Sequence, residues 1–194
     1  MPPSIIFDFD GTLVDSRNII YKAFETITLN IAPERINYAK NILIGPPLRT
    51  TAKEILGSQK SHLLDEFVRM FIRIHDDEVI LNTKIYPFVN DMLNMLYSQG
   101  VKMAIATNKR MAPTMSIIKY FNWGKFFISI ECTDSKKKVR KKFEMIEDII
   151  KQDKDFRDGY FMGDTVNDGL SANSCSLKFI KANYGYGTKQ DWSK

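Results

Sequence analysis

Two aspartates two residues apart, Asp8 and Asp10, end a short apolar run, Ser4-Ile5-Ile6-Phe7, with Gly11 directly behind them. The run is β-branched and aromatic, as a strand buried in a parallel sheet is. Period-two spacing puts both carboxylates on one face of a strand, and the glycine lets the backbone turn there. Carboxylates this close repel one another, so such a cluster ordinarily exists to hold a cation. An aspartate held beside Mg²⁺ is also a nucleophile able to attack phosphorus and form an aspartyl-phosphate.

A second acidic pair lies in Gly163-Asp164-Thr165-Val166-Asn167-Asp168, after the apolar Tyr160-Phe161-Met162. Between the two pairs, Met103-Ala104-Ile105-Ala106-Thr107-Asn108 is another strand pattern ending in polar residues. Ligands of open α/β sheets gather outside the carboxyl ends of the strands, so the three segments predict one site. Other cation and phosphate motifs fail on the letters. An EF-hand loop begun at Asp8 places Leu13 where glycine belongs, and one begun at Asp164 places Val166 at its third position and Cys175 at its twelfth. The chain has no Gly-x-x-x-x-Gly-Lys-Ser/Thr, and Gly185-Tyr186-Gly187 lacks the third glycine of a dinucleotide fingerprint.

The ordered set resembles the haloacid dehalogenase-like (HAD) hydrolase superfamily, in its phosphoglycolate-phosphatase-like branch. The most specific match is Phe7-Asp8-Phe9-Asp10-Gly11-Thr12-Leu13-Val14-Asp15-Ser16. It is supported by Ile44-Gly45-Pro46-Pro47-Leu48, Ile105-Ala106-Thr107-Asn108-Lys109, the Gly163–Asp168 segment and Tyr184-Gly185-Tyr186-Gly187. The resemblance implies Asp8 as the nucleophile and Asp10 as the general acid/base that protonates the leaving oxygen and then activates water. Asp10 also separates the branches: dehalogenases lack an aspartate there and ion-pumping ATPases carry threonine, so its presence implies phosphatase or phosphomutase chemistry. Asp164 is expected to bind Mg²⁺ with Asp8 and the backbone carbonyl of Asp10. Asp168, one helical turn further, is either a water-mediated ligand or an acid at a helix N-terminus. Thr107 and Asn108 are expected to bind phosphate oxygens through the hydroxyl and neighbouring N–H groups. The family's third motif, a lysine that is often followed by proline, is present in a variant form. Lys-x-Glu-aliphatic-Ile is matched by Lys142-Phe143-Glu144-Met145-Ile146, which makes Lys142 the expected phosphate-binding lysine, with Lys141 next.

Elements to position these residues follow from periodicity. Ile19, Ile20, Ala23, Phe24 and Ile27 recur at helical spacing. Further helices are expected over Glu34–Leu43, Leu48–Leu56 and Ser61–His75, with no strand between residues 17 and 83. His62 and His75 lie on the last of these, a surface-type helix, and carry no expected role. Arg49 and Lys53, four apart, are in reach of an anionic substrate or are simply surface charge. From Tyr86 an alternating pattern returns: helices over Val89–Gln99, Met115–Phe121 and Phe143–Lys151, strands over Val101–Ala106, Phe126–Ile130, Tyr160–Met162 and Leu177–Ile180. The expectation is an α/β protein: a Rossmann-like, mostly parallel five-stranded core from residues 1–16 and 84–194, with an inserted all-helical block, residues 17–83, which the resemblance implies is the family's helical cap, closing over the site.

Bulk properties narrow the class. The chain has 194 residues, enough for one core plus a small insertion. Its two cysteines, Cys132 and Cys175, form no zinc or disulfide pattern. No apolar run approaches the ~20 residues of a membrane span. Met1-Pro2-Pro3 leads straight into the first strand, leaving no basic leader, so cytoplasmic residence is expected. The net charge of +5 is concentrated in Lys136-Lys137-Lys138-Val139-Arg140-Lys141-Lys142, read as a solvated basic loop apart from the phosphate lysine. The expected function is a Mg²⁺-dependent phosphatase acting on a small phosphorylated metabolite such as phosphoglycolate, a sugar phosphate or a nucleoside phosphate. A sugar phosphomutase is the enzymatic alternative, and a non-catalytic binding protein of the same fold the other. Nucleic acid is a disfavoured partner, whose first sign would be salt-sensitive oligonucleotide binding.

Overall fold

The computed structural model describes residues 3–190 and 192–193. The chain divides into two compact units, residues 1–15 with 84–194, and residues 16–83.

The first unit is built on five parallel strands, β1 (Ile5–Phe7), β4 (Met103–Thr107), β5 (Phe127–Cys132), β6 (Tyr160–Gly163) and β7 (Lys178–Lys181), in the order β5-β4-β1-β6-β7. β1 lies at the centre, with β4 on one side and β6 on the other, in register Phe7 to Ile105 and Phe7 to Met162. The chain thus leaves β1 toward one edge and later returns to the other, which makes the carboxyl end of β1 the switch point. Both faces are covered. Ile6 joins Ala104, Ala106 and Phe161 against Met145, Ile146 and Ile149 of α7 (Lys142–Gln152) and Ala172 of α8 (Val166–Ser174). Phe7 points the other way and meets the edge of Phe127 at 6.4 Å. Phe9 meets the edge of Trp123 at the same distance, below α6 (Met111–Tyr120). Each such buried aromatic contributes roughly 2–3 kcal/mol of transfer free energy.

Four features depart from the periodicity reading. α6 begins at Met111 rather than 115, with Pro113 in its first turn, where a missing N–H breaks no helical bond. The expected Glu34–Leu43 helix is a 3₁₀ turn over Pro33–Arg35 followed by α2 (Ile36–Asn41). The helix expected over Ser61–His75 is a 3₁₀ turn, Ser61–Leu63, and α4 (Leu64–Asn82). Val14–Asp15 (β2) and Lys84–Ile85 (β3) form a two-stranded antiparallel ribbon too short to show alternation, which brings the two ends of the inserted segment side by side.

The second unit is helical: α1 (Arg17–Ile31), α2, α3 (Leu48–Leu56) and α4, with α5 (Val89–Ser98) belonging to the first unit. Phe24 of α1 packs on Phe67 and Phe71 of α4 at 6.2 and 5.0 Å. His75 is buried here rather than on a solvent face, stacked on Phe71 at 5.1 Å, with Nδ1 2.9 Å from Asp76. Arg49 pairs with Asp65 at the surface. No helix among the described residues is long and apolar enough to cross a membrane.

Candidate active site

The carboxyl ends of β1, β4 and β6 bring Asp8, Thr107 and Asp164 to one end of the sheet. The Asp8 amide donates to the Met162 carbonyl at 2.8 Å, which fixes the first aspartate against the strand that ends at Gly163. Asp8, Asp164 and Asp168 are all buried, and one carboxylate oxygen from each lies within 4.8 Å of the others. Like charges at that separation repel by about 3 kcal/mol per pair at an effective dielectric of ~20. Lys142 is the compensating cation. Its Nζ is 2.8 Å from Asp8 Oδ1 and also bonds Asp168 Oδ1.

Lys142 is the first residue of α7. A cation is disfavoured at a helix N-terminus, and burial disfavours it further. Burial opposes the charge, but Asp168 and Asp8 outweigh it and push the Lys142 pKa up. Lys141 is exposed, so the register of the motif puts its neighbour inside. Of the rest of the basic run, residues 136–139 and 141 are exposed, as expected of a solvated loop, and Arg140 is the exception. Arg140 is buried, ion-paired with Glu131 and Asp148, and donates to the Glu144 carbonyl at 3.0 Å. Lys136 pairs with Asp148, and Lys138 with Glu144 at 3.2 Å. Glu144 also accepts from the Lys141 amide at 2.8 Å, closing the first turn of α7. Arg140 thereby anchors the loop two residues ahead of Lys142.

Asp168 belongs to α8 and closes a capping box. Its Oδ2 accepts from the Thr165 amide at 2.8 Å, the Thr165 hydroxyl at 2.6 Å and the Asp164 amide at 3.2 Å. A Cβ on Gly163 would overlap the Asp168 side chain, so glycine there makes room for it. The two expectations for this residue are therefore not exclusive: it is a helix N-terminal acid, and it reaches the cluster.

Burial is the main cause that pushes the Asp8 pKa well above its ordinary value; Lys142 opposes this, while Asp168 and Asp164 add to it. Asp164 is pushed up to about 6, by burial first and by the Asp168 charge second. Three carboxylates against one ammonium leave two negative charges uncompensated when all are ionised. That deficit, with an all-oxygen donor set, fits a hard divalent cation.

Asp10, just before the turn at Gly11, faces Lys109, whose Nζ is 3.0 and 3.1 Å from its two oxygens. Lys109 closes the Ile105–Lys109 motif, whose pattern assigns it no task. Its partner is 99 residues away, so only the fold brings them together. The available signal was its place, directly after Thr107-Asn108 at a strand end. Thr107 is buried and its Oγ1 accepts from the Lys109 amide at 3.1 Å, which shapes the turn that carries Lys109. Asn108 is half-buried in the same turn. The Tyr184–Gly187 segment, whose pattern likewise assigns no role, contacts Asp164 directly: the Tyr186 and Gly187 amides donate to Oδ2 at 2.5 and 3.3 Å.

Against this geometry the comparisons with known proteins are decisive for the family. Residues 5–182 match the haloacid dehalogenase-like hydrolases. The chain belongs to this family. Its relatives by sequence place it in the phosphoglycolate-phosphatase-like branch, and it is a phosphatase-type hydrolase. A phosphoglycolate phosphatase of Agrobacterium fabrum is 26% identical over 196 residues, covering 96% of this chain and 82% of that protein. The pyrophosphatase PpaX of Listeria welshimeri is 27% identical over 170 residues, covering 85% and 76%. Among solved structures, a haloacid dehalogenase-like family hydrolase of Streptococcus pneumoniae superposes with a TM-score of 0.80 at 23% identity, over 98% of this chain and 89% of that one. Protein tyrosine kinase A of Mycobacterium tuberculosis does so at 0.79 and 23%, over 100% and 89%. Likeness at that identity speaks for the fold alone, and the fold carries more than one chemistry.

Proposed function

We propose that the chain is a Mg²⁺-dependent phosphatase that hydrolyses a small phosphate monoester through an aspartyl-phosphate on Asp8. The observation that carries this reading is the ion pair of Asp8 with Lys142 inside a buried cluster that also holds Asp164 and Asp168. A structural ion pair needs one carboxylate for one ammonium; the surplus acids are what a phosphoryl-transfer site requires to hold its metal.

In this reading Asp8 is the nucleophile, and Lys142 fixes its Oδ1 while offering a positive charge to the transferring phosphoryl oxygens. Asp8, Asp164 and the Asp10 carbonyl hold the Mg²⁺, with Asp168 reaching it through water or acting through Lys142. The metal supplies charge neutralisation between the carboxylates and the phosphate. Asp10 gives its proton to the leaving oxygen and later takes one from water. Lys109 holds Asp10 until substrate arrives. Thr107 and Asn108 offer hydroxyl, amide and N–H groups to the phosphate oxygens, which bind without adding charge. The helical unit, inserted after the first motif, serves as the cap that selects substrate. The names of the relatives make phosphoglycolate and inorganic pyrophosphate the first substrates to try.

Release of free phosphate from a panel of phosphoglycolate, pyrophosphate, sugar phosphates and nucleoside monophosphates, with Mg²⁺ and in chelator, tests this function. Metal-dependent release from at least one of them is expected. Full activity in excess chelator contradicts the metal assignment, and turnover only with a sugar bisphosphate, without release of phosphate, identifies a mutase.

A further inference from the structure

Three glycines from two distant segments converge on Asp164. A Cβ on Gly11 or Gly185 would overlap its carboxylate, and one on Gly187 its backbone carbonyl. Gly11 has φ +85°, so its conformation alone explains glycine there. The other two are different. Gly185 has an ordinary φ of −79°, and Gly187 is not among the positive-φ residues. What these two positions require is space, because the backbone itself comes up against the aspartate.

The approach is built in detail. The Tyr186 and Gly187 amides donate to Asp164 Oδ2 at 2.5 and 3.3 Å. The Tyr184 hydroxyl donates to the Thr12 carbonyl at 2.9 Å, and the Tyr186 hydroxyl lies 3.3 Å from Asp15 Oδ1. The Ala182 amide donates to the Gly163 carbonyl at 2.8 Å, so the segment starts level with the end of β6. Its far side is tied as well: the Trp192 indole donates to the Gly187 carbonyl at 3.1 Å, and the Val166 amide donates to Gln190 Oε1 at 2.7 Å. A backbone pinned at both ends and on both sides presents its two N–H groups to one carboxylate oxygen.

We propose that the Tyr184–Gly187 loop is the positioning device for Asp164: its two amides take Oδ2, fix the carboxylate plane and commit Oδ1 to the metal. Oδ1 has the Thr12 hydroxyl at 3.5 Å, a long contact that a stronger partner displaces. The inference rests on the reading of Asp164 as a metal carboxylate. It assigns Gly185, Tyr186, Gly187 and Tyr184 to metal affinity rather than to the chemical step.

The test is a Mg²⁺ titration of chelator-treated protein, followed by calorimetry and by thermal melting, for wild type, Asp164→Asn, Gly187→Ala and Tyr184→Phe. Hydrolysis of para-nitrophenyl phosphate is then measured across Mg²⁺ concentrations. Partners of metal ligands typically set affinity by about 10- to 100-fold, which is the expected rise in Kd for Gly187→Ala. Tyr184→Phe removes one hydrogen bond that steadies the loop and is expected to raise Kd about two- to tenfold. In both variants excess Mg²⁺ should restore kcat, which a general loss of packing would not allow. Asp164→Asn should lose Mg²⁺ binding outright. If Asp164→Asn binds Mg²⁺ as the wild type does, the metal reading itself fails. If it does not, while folded Gly187→Ala and Tyr184→Phe keep the wild-type Kd, the loop proposal is overturned and the metal reading stands. If Gly187→Ala does not fold, Tyr184→Phe decides alone: an unchanged Kd, or a kcat loss that excess Mg²⁺ leaves uncorrected, overturns the proposal.

Discussion

Lys142 and Asp168 are joined side chain to side chain across 26 residues, from the first turn of α7 to the first turn of α8. Asp168 has no idle oxygen: Oδ1 takes Lys142, and Oδ2 takes Thr165 and the Asp164 amide. The aspartate therefore locks the helix cap and aims the lysine at Asp8 in one arrangement.

Lys142→Ala should lower kcat/KM about 30- to 1000-fold, the ~2–4 kcal/mol that a charge-assisted contact contributes in a site closed to water. Lys141→Ala and Lys138→Ala should stay near wild type, since both side chains are exposed and a screened charge acts weakly on a distant phosphate. Steady-state kinetics of the three variants decides. A large loss for Lys141→Ala with none for Lys142→Ala would move the third motif by one residue.

Removing the Lys142 charge also carries a structural cost. Lys142→Met leaves Asp8, Asp164 and Asp168 without their shared cation, and breaking a buried pair by removing one partner costs about 3–5 kcal/mol. Urea unfolding in chelator should show that loss, and Mg²⁺ should recover part of it by supplying the missing charge. Equal stability of the variant and the wild type in chelator would mean that the cluster is not ionised in the folded protein.

Stability should also depend on pH through Asp164, whose carboxyl is pushed up to about 6. An unfolded aspartate titrates near ~3.9. Between those values the folded protein holds a proton that the unfolded chain lacks, so this group's contribution falls as pH rises from about 4 to about 6. The loss is on the order of 3 kcal/mol and is complete above that window. Asp164→Asn has no such titration. In chelator, the melting temperature of the variant should therefore gain on the wild type as pH goes from 4 to 7. A gain in the opposite direction would mean that the carboxylate is stabilised in its ionised form without metal.

Lys109→Ala should lower kcat while leaving Mg²⁺ affinity unchanged, because Lys109 pairs with the carboxylate of Asp10, which is not one of the three clustered acids. The loss should be smaller than that of Asp10→Asn, for which general acid–base catalysis sets a scale of about 10²–10⁴-fold. A Mg²⁺ titration alongside kcat separates the two effects. Altered metal affinity with unchanged kcat would assign Lys109 to the wrong carboxylate.

Much of the fold was legible because the core strands follow one rule. Ile5–Phe7, Met103–Thr107 and Tyr160–Gly163 are short apolar runs that stop at polar residues, and burial on both faces explains both features. The Val14–Asp15 and Lys84–Ile85 ribbon left no trace, since two residues cannot show a period. Pro113 hid the start of α6, because its place in the first turn depends on where the helix begins. His75 looked solvent-facing on a charged helix, and only the packing of Phe71 beside it shows that it is covered. At the site, the side chains that the fold gathers, Asp8, Asp164, Asp168 and Lys142, were visible as acids and a lysine at strand and helix ends. The partners that aim them were not. Lys109 reaches Asp10 from 99 residues away, and the Tyr186 and Gly187 contributions to Asp164 are backbone amides, which no side-chain pattern encodes.

The central claim is a covalent phosphoryl group on Asp8, and it is tested by rapid acid quench during turnover with a labelled phosphate monoester and Mg²⁺, followed by peptide mapping. The account predicts a phosphoryl group that is stable in acid and cleaved by hydroxylamine, as an acyl phosphate is, on the peptide containing Asp8, and none in Asp8→Asn protein of unchanged melting temperature, which should not turn over. Release of phosphate at the wild-type rate by Asp8→Asn, or a phosphoryl group trapped on another residue, would contradict it.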